Sequence, residues 1–214
     1  ITVYEAYDEG SEANFVAGQI ISGSRGKNFK DYAILYRTNA QSNALEFALK
    51  RNGIPYRVIG GMRFFDRAEI KDMLSYLCVI NNRSDDLRLR RIINEPRRKI
   101  GDVTISAISQ IAAEQGCSLF DVIENARNYT ALSRSVSSLE GFAALINSLT
   151  VKSKHLSLPD LFDAVLDDSG YRDMIILAGP EEKDRLDNLE EFKSSIIEYV
   201  SKTEEPTLMG FLEE

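Results

Sequence analysis

Two groups of basic and amide side chains stand out in this chain by type and spacing. In "AILYRTNAQSN", residues 33–43, a short apolar run gives way to Arg37, Thr38 and Asn39 just before a helix start. An arginine and an asparagine at the C-terminal end of a strand sit where open parallel sheets place their ligand contacts. An asparagine at a helix N-terminus can also present backbone N–H groups to a phosphate. Plain helix capping with a surface salt bridge accounts for the pair equally well. In "RLRRIINEPRRKIGDVTI", Arg88, Arg90, Arg91, Arg97, Arg98 and Lys99 stand against a single acid, Glu95, between positions 88 and 99. The stretch joins two helices through Pro96 and a turn at Gly101, and glycine at such a turn lets backbone N–H groups approach a phosphate closely. A solvated helix end is the competing reading.

Other chemistries are poorly served. The nearest approach to a phosphate-binding loop is "SGSRGKN", where Ile21 and Asn28 replace the required glycine and Ser/Thr, and it follows a helix rather than a strand. His155 is the only histidine and has no neighbours at metal-ligand spacing, so it reads as a surface loop residue. No serine or cysteine carries the signals of a nucleophile. The sequence thus offers no catalytic residue, no metal site and no complete active site.

Composition sets the wider bounds. The 214 residues suffice for one large or two small domains, and 43% hydrophobic with 28% charged residues is ordinary globular usage. The net charge of −7 argues against a uniformly basic, DNA-coating protein while leaving room for a local positive patch. Cys78 and Cys117 lie in helical patterns without metal-ligand spacing, which points to a reduced cytoplasmic interior. "ITVYEAYDEG" has no basic segment followed by an apolar core, so no secretory signal is expected, and no apolar run is long enough to span a membrane.

The elements that must position the basic groups follow from periodicity. "ITVYEAY", "DYAILYR" and "PYRVIG" read as strands, separated by a helix over 11–24 and by another with apolar Ala44, Leu45, Ala48 and Leu49, which Asn39 can cap and Gly53 ends. This predicts a three-stranded parallel βαβαβ piece with right-handed crossovers. After Gly60 and Gly61 the strand signals stop. Asp66 and Glu69 resemble a capping box opening a helix with Ile70, Met73, Leu74, Leu77 and Cys78 inward. Further helices are expected after Ser84, over 103–115 with Gly116 as a stop, after Ser118, over 136–149, and from Pro159 and Pro180, with Gly170 between the last two. The expected fold class is α/β plus all-α: a small sheet piece followed by a larger helical domain, mostly α overall.

"ILYRTNAQSNALEFALKRNGIPYRVIGGMRFFDRAEIKDMLSYL", continued by "INEPRRKIGDVTI", "LDDSGYRDM" and "RLDNLEEF", resembles the superfamily 1A DNA helicases of the UvrD/PcrA/Rep type over essentially the whole chain. The resemblance implies that residues 1–62 are part of the second RecA-like domain, 2A, and residues 63–214 most of the helical insertion, 2B, truncated at its C-terminus. It implies a parent that hydrolyses ATP with Mg while moving 3′ to 5′ on single-stranded DNA and separating duplex, in repair and replication. The family's Walker A and B motifs, adenine-binding glutamine, "NYRS", "HAAKGLEF" and "RR" segments are absent from these 214 residues. An excised piece without ATPase activity of its own, and with no cofactor of its own, is therefore expected. Its partners would be single-stranded and duplex DNA and the remaining helicase domains, with repair or replication proteins joining the parent.

Carried over residue by residue, the resemblance places Arg37 and Asn39 against single-stranded DNA, and Arg63 at a basic position near the 2A/2B junction that contacts backbone phosphate. Ile100, Gly101 and Thr104 match a "GIG...T" element that grips duplex backbone, with Arg97, Arg98 and Lys99 supplying charge beside it. Here "KIG" replaces "GIG": Lys99 adds a positive charge and loses the conformational freedom of the first glycine. "AQSN" likewise replaces "AQSR", which weakens any role for position 43. A helicase-nuclease of the RecB/AddA type, a stand-alone DNA-binding module built on the basic turn, and an interaction scaffold built on the acidic "EEKDRLDNLEEF" are the competing classes.

Overall fold

In the computed structural model, residues 2–24, 28–37, 41–59 and 63–213 are described. The chain divides into two compact units, Ile1–Ile70 and Lys71–Glu214.

In the first unit, α1 (Glu9–Ser24) packs on α2 (Ser42–Arg51). Their shared core is Ala13, Ala17, Ile20, Ala48, Leu49 and Ile54, flanked by the half-buried Val16, Phe29, Ile34 and Tyr56. Small alanines at helical spacing on both helices allow this close approach. Gly53, at φ 65°, ends α2 as expected, because glycine takes the left-handed conformation without a Cβ penalty. Glu46 is buried and accepts hydrogen bonds from the Tyr56 hydroxyl at 3.0 Å and the Phe64 amide at 3.1 Å, which fixes the chain on either side of residues 57–63.

The three-stranded parallel sheet expected here does not form: no strand occurs among the described residues, and the segments at 2–6, 32–36 and 54–58 run without ladder hydrogen bonds. Parallel sheets hold only when both faces are covered. Val3, Leu35 and Ile59 are instead 91%, 94% and 88% exposed, so the alternating apolar pattern has an inner side against the helices and no covered outer side. The expected α/β class is therefore corrected, while the mostly helical character stands.

The second unit is a stack of helices: α3 (Ala68–Asn81, entering this unit at Lys71), α4 (Asp86–Ile92), α5 (Asp102–Gln115), α6 (Leu119–Glu124), α7 (Val136–Lys152), α8 (Leu158–Asp168), α9 (Tyr171–Ala178), α10 (Lys183–Lys202) and α11 (Leu208–Glu213). Sequential helices pack on one another: α5 on α6, α6 on α7, α7 on α8, and α10 on both α8 and α9. Local signals start and stop them. Asp85 rather than Ser84 caps α4 by accepting from the Arg88 amide, Ser118 and Asp121 form a reciprocal capping box on α6, and Gly116 (φ 64°) and Gly170 (φ 76°) end α5 and separate α8 from α9. From Lys71 onward, α3 buries Met73, Tyr76, Leu77, Val79 and Ile80, so it is buried on more than one face. Among the described residues no helix is long and apolar enough to cross a membrane.

Candidate nucleic-acid interface

The basic stretch folds into a turn between α4 and α5, and folding sorts its charges. Arg90, Arg97 and Lys99 are exposed. Arg91 is exposed as well, but its charge is committed to the buried Asp72 at 2.7 Å. Arg98 is held still more completely: its Nη1 donates to the carbonyls of Ile92 (3.0 Å) and Pro96 (3.1 Å), and its Nη2 to the Tyr76 hydroxyl (2.7 Å) and the Ser169 carbonyl (3.1 Å). Its guanidinium also lies 5.5 Å from the ring centroid of Phe142. Four of the five guanidinium donors are thus spent on the fold.

The backbone of the turn is equally constrained. The Asn94 side-chain oxygen accepts from the amides of Arg98 (2.8 Å) and Ile100 (3.2 Å), and the Glu95–Pro96 peptide is cis. Lys99, where the resemblance implies a glycine, adopts φ 61°, in the left-handed region. That conformation costs an L-residue roughly 1–2 kcal/mol. Ile100 is fully buried and pins the far side of the turn. Gly101 then caps α5 with an extended backbone, no side-chain cap and open space where a Cβ would stand. The first amides of a helix have no intrahelical partner, so this uncapped end points N–H groups and the positive end of the helix dipole outward beside Arg97 and Lys99. Thr104, one turn further, is half-buried and shares a 3.0 Å hydrogen bond with the Ser135 hydroxyl. Chemically, exposed cations beside a fixed set of amides suit a phosphate backbone, with the exposed Asp102 carboxylate in the same first turn opposing them.

Behind the turn lies a buried polar network that the sequence analysis did not anticipate. Asp72 accepts from the Tyr171 hydroxyl at 2.6 Å, and Tyr171 in turn accepts from Arg185 at 3.0 Å. Burial pushes the Asp72 carboxyl upward against the opposing pull of Tyr171, Arg91 and Arg185. Burial likewise pushes Tyr76 up to about 12, with Arg98 pulling the other way, and raises Tyr171, with the Asp72 charge adding to the rise. Tyr76 lay outside the expected stripe of Ile70, Met73, Leu74, Leu77 and Cys78; the buried face includes Tyr76 and Val79, while Leu74 and Cys78 are only half-buried. A buried hydroxyl there must find a partner, and that rule was the available signal.

In the first unit Arg37 is exposed, and its amide donates a 2.9 Å hydrogen bond to the Gln41 side-chain oxygen. Arg63 is exposed and stacks over the Tyr56 ring at 5.5 Å. Asn39 lies outside the described residues, so its expected capping and contact roles have no geometry here, and the same holds for Arg25, Gly26 and Lys27 of the loop-like string. His155 is exposed, and no cluster of metal-ligating side chains occurs among the described residues.

The second unit presents an uncapped, basic helix start, and the first unit carries the string "YRTNAQS". The chain belongs to the family of the UvrD-like helicase C-terminal domain, whose model matches residues 1–214. It is 41% identical over 217 residues to the protein named ATP-dependent DNA helicase PcrA of Staphylococcus aureus (strain NCTC 8325 / PS 47), covering 99% of this chain and 30% of that protein. It is 42% identical over 217 residues to the protein of the same name from Staphylococcus epidermidis (strain ATCC 12228 / FDA PCI 1200), with the same coverage. The chain thus spans about 30% of the length of the curated relatives it matches.

Proposed function

We propose that the chain is the DNA-engaging segment of an ATP-dependent 3′ to 5′ DNA helicase of the UvrD/PcrA type, acting in repair and replication in the cytoplasm. Residues 1–62 contribute to domain 2A and residues 63–214 form most of domain 2B. Arg37, Asn39 and Arg63 meet the single strand. Arg97, Lys99 and the amides that follow Gly101 meet duplex phosphates, with Ile100 and Thr104 fixing the turn. ATP and Mg act in the parent protein, at residues this chain does not carry, and DNA and the parent's other domains are its partners.

The observation that carries this reading is the α4–α5 turn, where Lys99 at φ 61° and exposed Arg97 flank an uncapped helix start at Gly101. Support also comes from the family match across the whole chain. The test is a titration of the 214-residue chain with duplexes of unrelated sequence at low and moderate salt, beside an ATPase assay. Sequence-independent binding that weakens steeply with salt, without ATP hydrolysis, is expected. DNA-stimulated ATP hydrolysis by this chain, or no duplex binding at low salt, would overturn it.

A further inference from the structure

Of the groups that touch the turn, one binds no DNA on any reading and yet controls its shape. The Tyr76 hydroxyl donates to the Glu95 carbonyl at 2.7 Å and accepts from Arg98 Nη2, also at 2.7 Å. Tyr76 itself is fully buried on α3. Its one oxygen therefore fixes the residue before Pro96 and the residue before Lys99, so the chain enters and leaves the Pro96–Arg97 corner at set points. Arg98 carries the constraint onward to the Ser169 carbonyl between α8 and α9, and Asn94 holds the amides on both sides of Lys99. Lys99, between these clamps, occupies a backbone conformation that lysine does not favour.

We propose that Tyr76 is a positioning residue for duplex binding: through Arg98 it holds Lys99 in the left-handed conformation that aims the Lys99 cation and the α5 amides at the same phosphates. This rests on the reading of the turn as the duplex contact. The brace compensates for the lysine that replaces the family's first glycine. A glycine takes that conformation at no steric cost and needs less holding.

The consequence is a coupling between positions 76 and 99. Without the hydroxyl, the remaining Asn94 and Arg98 bonds do not offset the roughly 1–2 kcal/mol preference of lysine for other conformations, leaving on the order of a tenth of molecules with a competent turn. Apparent duplex affinity then falls by roughly tenfold, since it scales with the competent fraction. The salt slope is unchanged, because no phosphate contact is removed.

The experiment is a double-mutant cycle on the 214-residue chain, with fluorescence anisotropy on a labelled duplex and thermal melts in parallel. Tyr76→Phe should weaken binding roughly tenfold in the lysine background, and less than about twofold when made on Lys99→Gly. An equal loss in both backgrounds, or no loss in the lysine background, would overturn the proposal. Should Tyr76→Phe fail to fold, Arg98→Lys, which keeps the charge and removes the forked donors, reads the same cycle with the same two outcomes. Failure of the wild-type chain to bind duplex would instead remove the duplex reading itself, so the two failures are distinguishable.

Discussion

Arg98 and Tyr76 are joined by a 2.7 Å hydrogen bond from the guanidinium to the buried phenol oxygen, although they lie 22 residues apart and on different elements. This bond separates two jobs inside one basic run. Arg97 and Lys99 face outward, while Arg98 holds α3, the end of α4, the turn and the α8–α9 junction together.

Removing Arg98 should therefore be a stability mutation first. Arg98→Ala leaves the carbonyls of Ile92, Pro96 and Ser169 without the donor they have now, and hydrogen bonds to a charged group are worth roughly 1.5–3 kcal/mol. A loss of about 3 kcal/mol in urea unfolding is expected, against less than about 0.5 kcal/mol for the exposed Arg97→Ala. Equal small effects of the two would contradict the assignment of Arg98 to the fold.

Lys99→Gly should have the opposite sign. Glycine relieves the left-handed strain at φ 61°, and the greater freedom of the unfolded glycine chain offsets part of that gain. Net stabilisation of about 0.5–1 kcal/mol is expected by urea midpoint, whereas Lys99→Ala, which keeps the Cβ, should give none. A destabilised glycine variant would mean that the conformation is not strained.

Tyr76 gives a pH prediction. Burial raises its folded value to about 12, above the ordinary 10 of an unfolded tyrosine. The unfolded chain therefore gives up this proton first, and the contribution, complete below pH ~10, is lost as pH rises toward about 12. That window is worth about 3 kcal/mol at 1.4 kcal/mol per unit. Unfolding free energies measured from pH 9 to 12 should fall more steeply for the wild type than for Tyr76→Phe. Parallel curves would contradict a buried, neutral phenol.

In the longer parent protein that the proposed function implies, Arg37→Ala should weaken single-strand binding and reduce DNA-stimulated turnover, the loss of one charged hydrogen bond being worth roughly 1.5–3 kcal/mol. Folding should survive, because Arg37 is exposed. A variant that binds and translocates like the wild type would return Arg37 to a purely local role.

The helical unit was largely legible because its signals are local. The stripe of Leu139, Phe142, Ala143, Ile146 and Leu149 is buried as its spacing predicts, and Ser118 and Gly116 cap where their chemistry requires. The sheet was not legible, because strands are settled by what lies beside them: the apolar alternation through Val3, Leu35 and Ile59 is present, but burial on one side does not make a ladder. The basic run was legible as a patch and illegible in its parts. No spacing rule says that Arg98 rather than Arg97 meets a tyrosine 22 residues earlier and a carbonyl 71 residues later. Nor did the sequence name the backbone of Lys99: it showed only a lost glycine, and the left-handed φ of 61° is a finding of the structure.

The most direct test of the duplex contact compares the wild-type chain with an Arg97→Ala/Lys99→Ala double variant, leaving Arg98 and hence the fold intact. Duplex affinity is measured over a range of salt concentrations, starting low. Each lost phosphate contact should flatten the plot of log affinity against log salt by about 0.9, so the double variant should bind more weakly with a slope shallower by about 1.8, whatever the duplex sequence. Identical affinity and identical slope for the two proteins would contradict the account, and the turn between α4 and α5 would then be no more than a solvated helix junction.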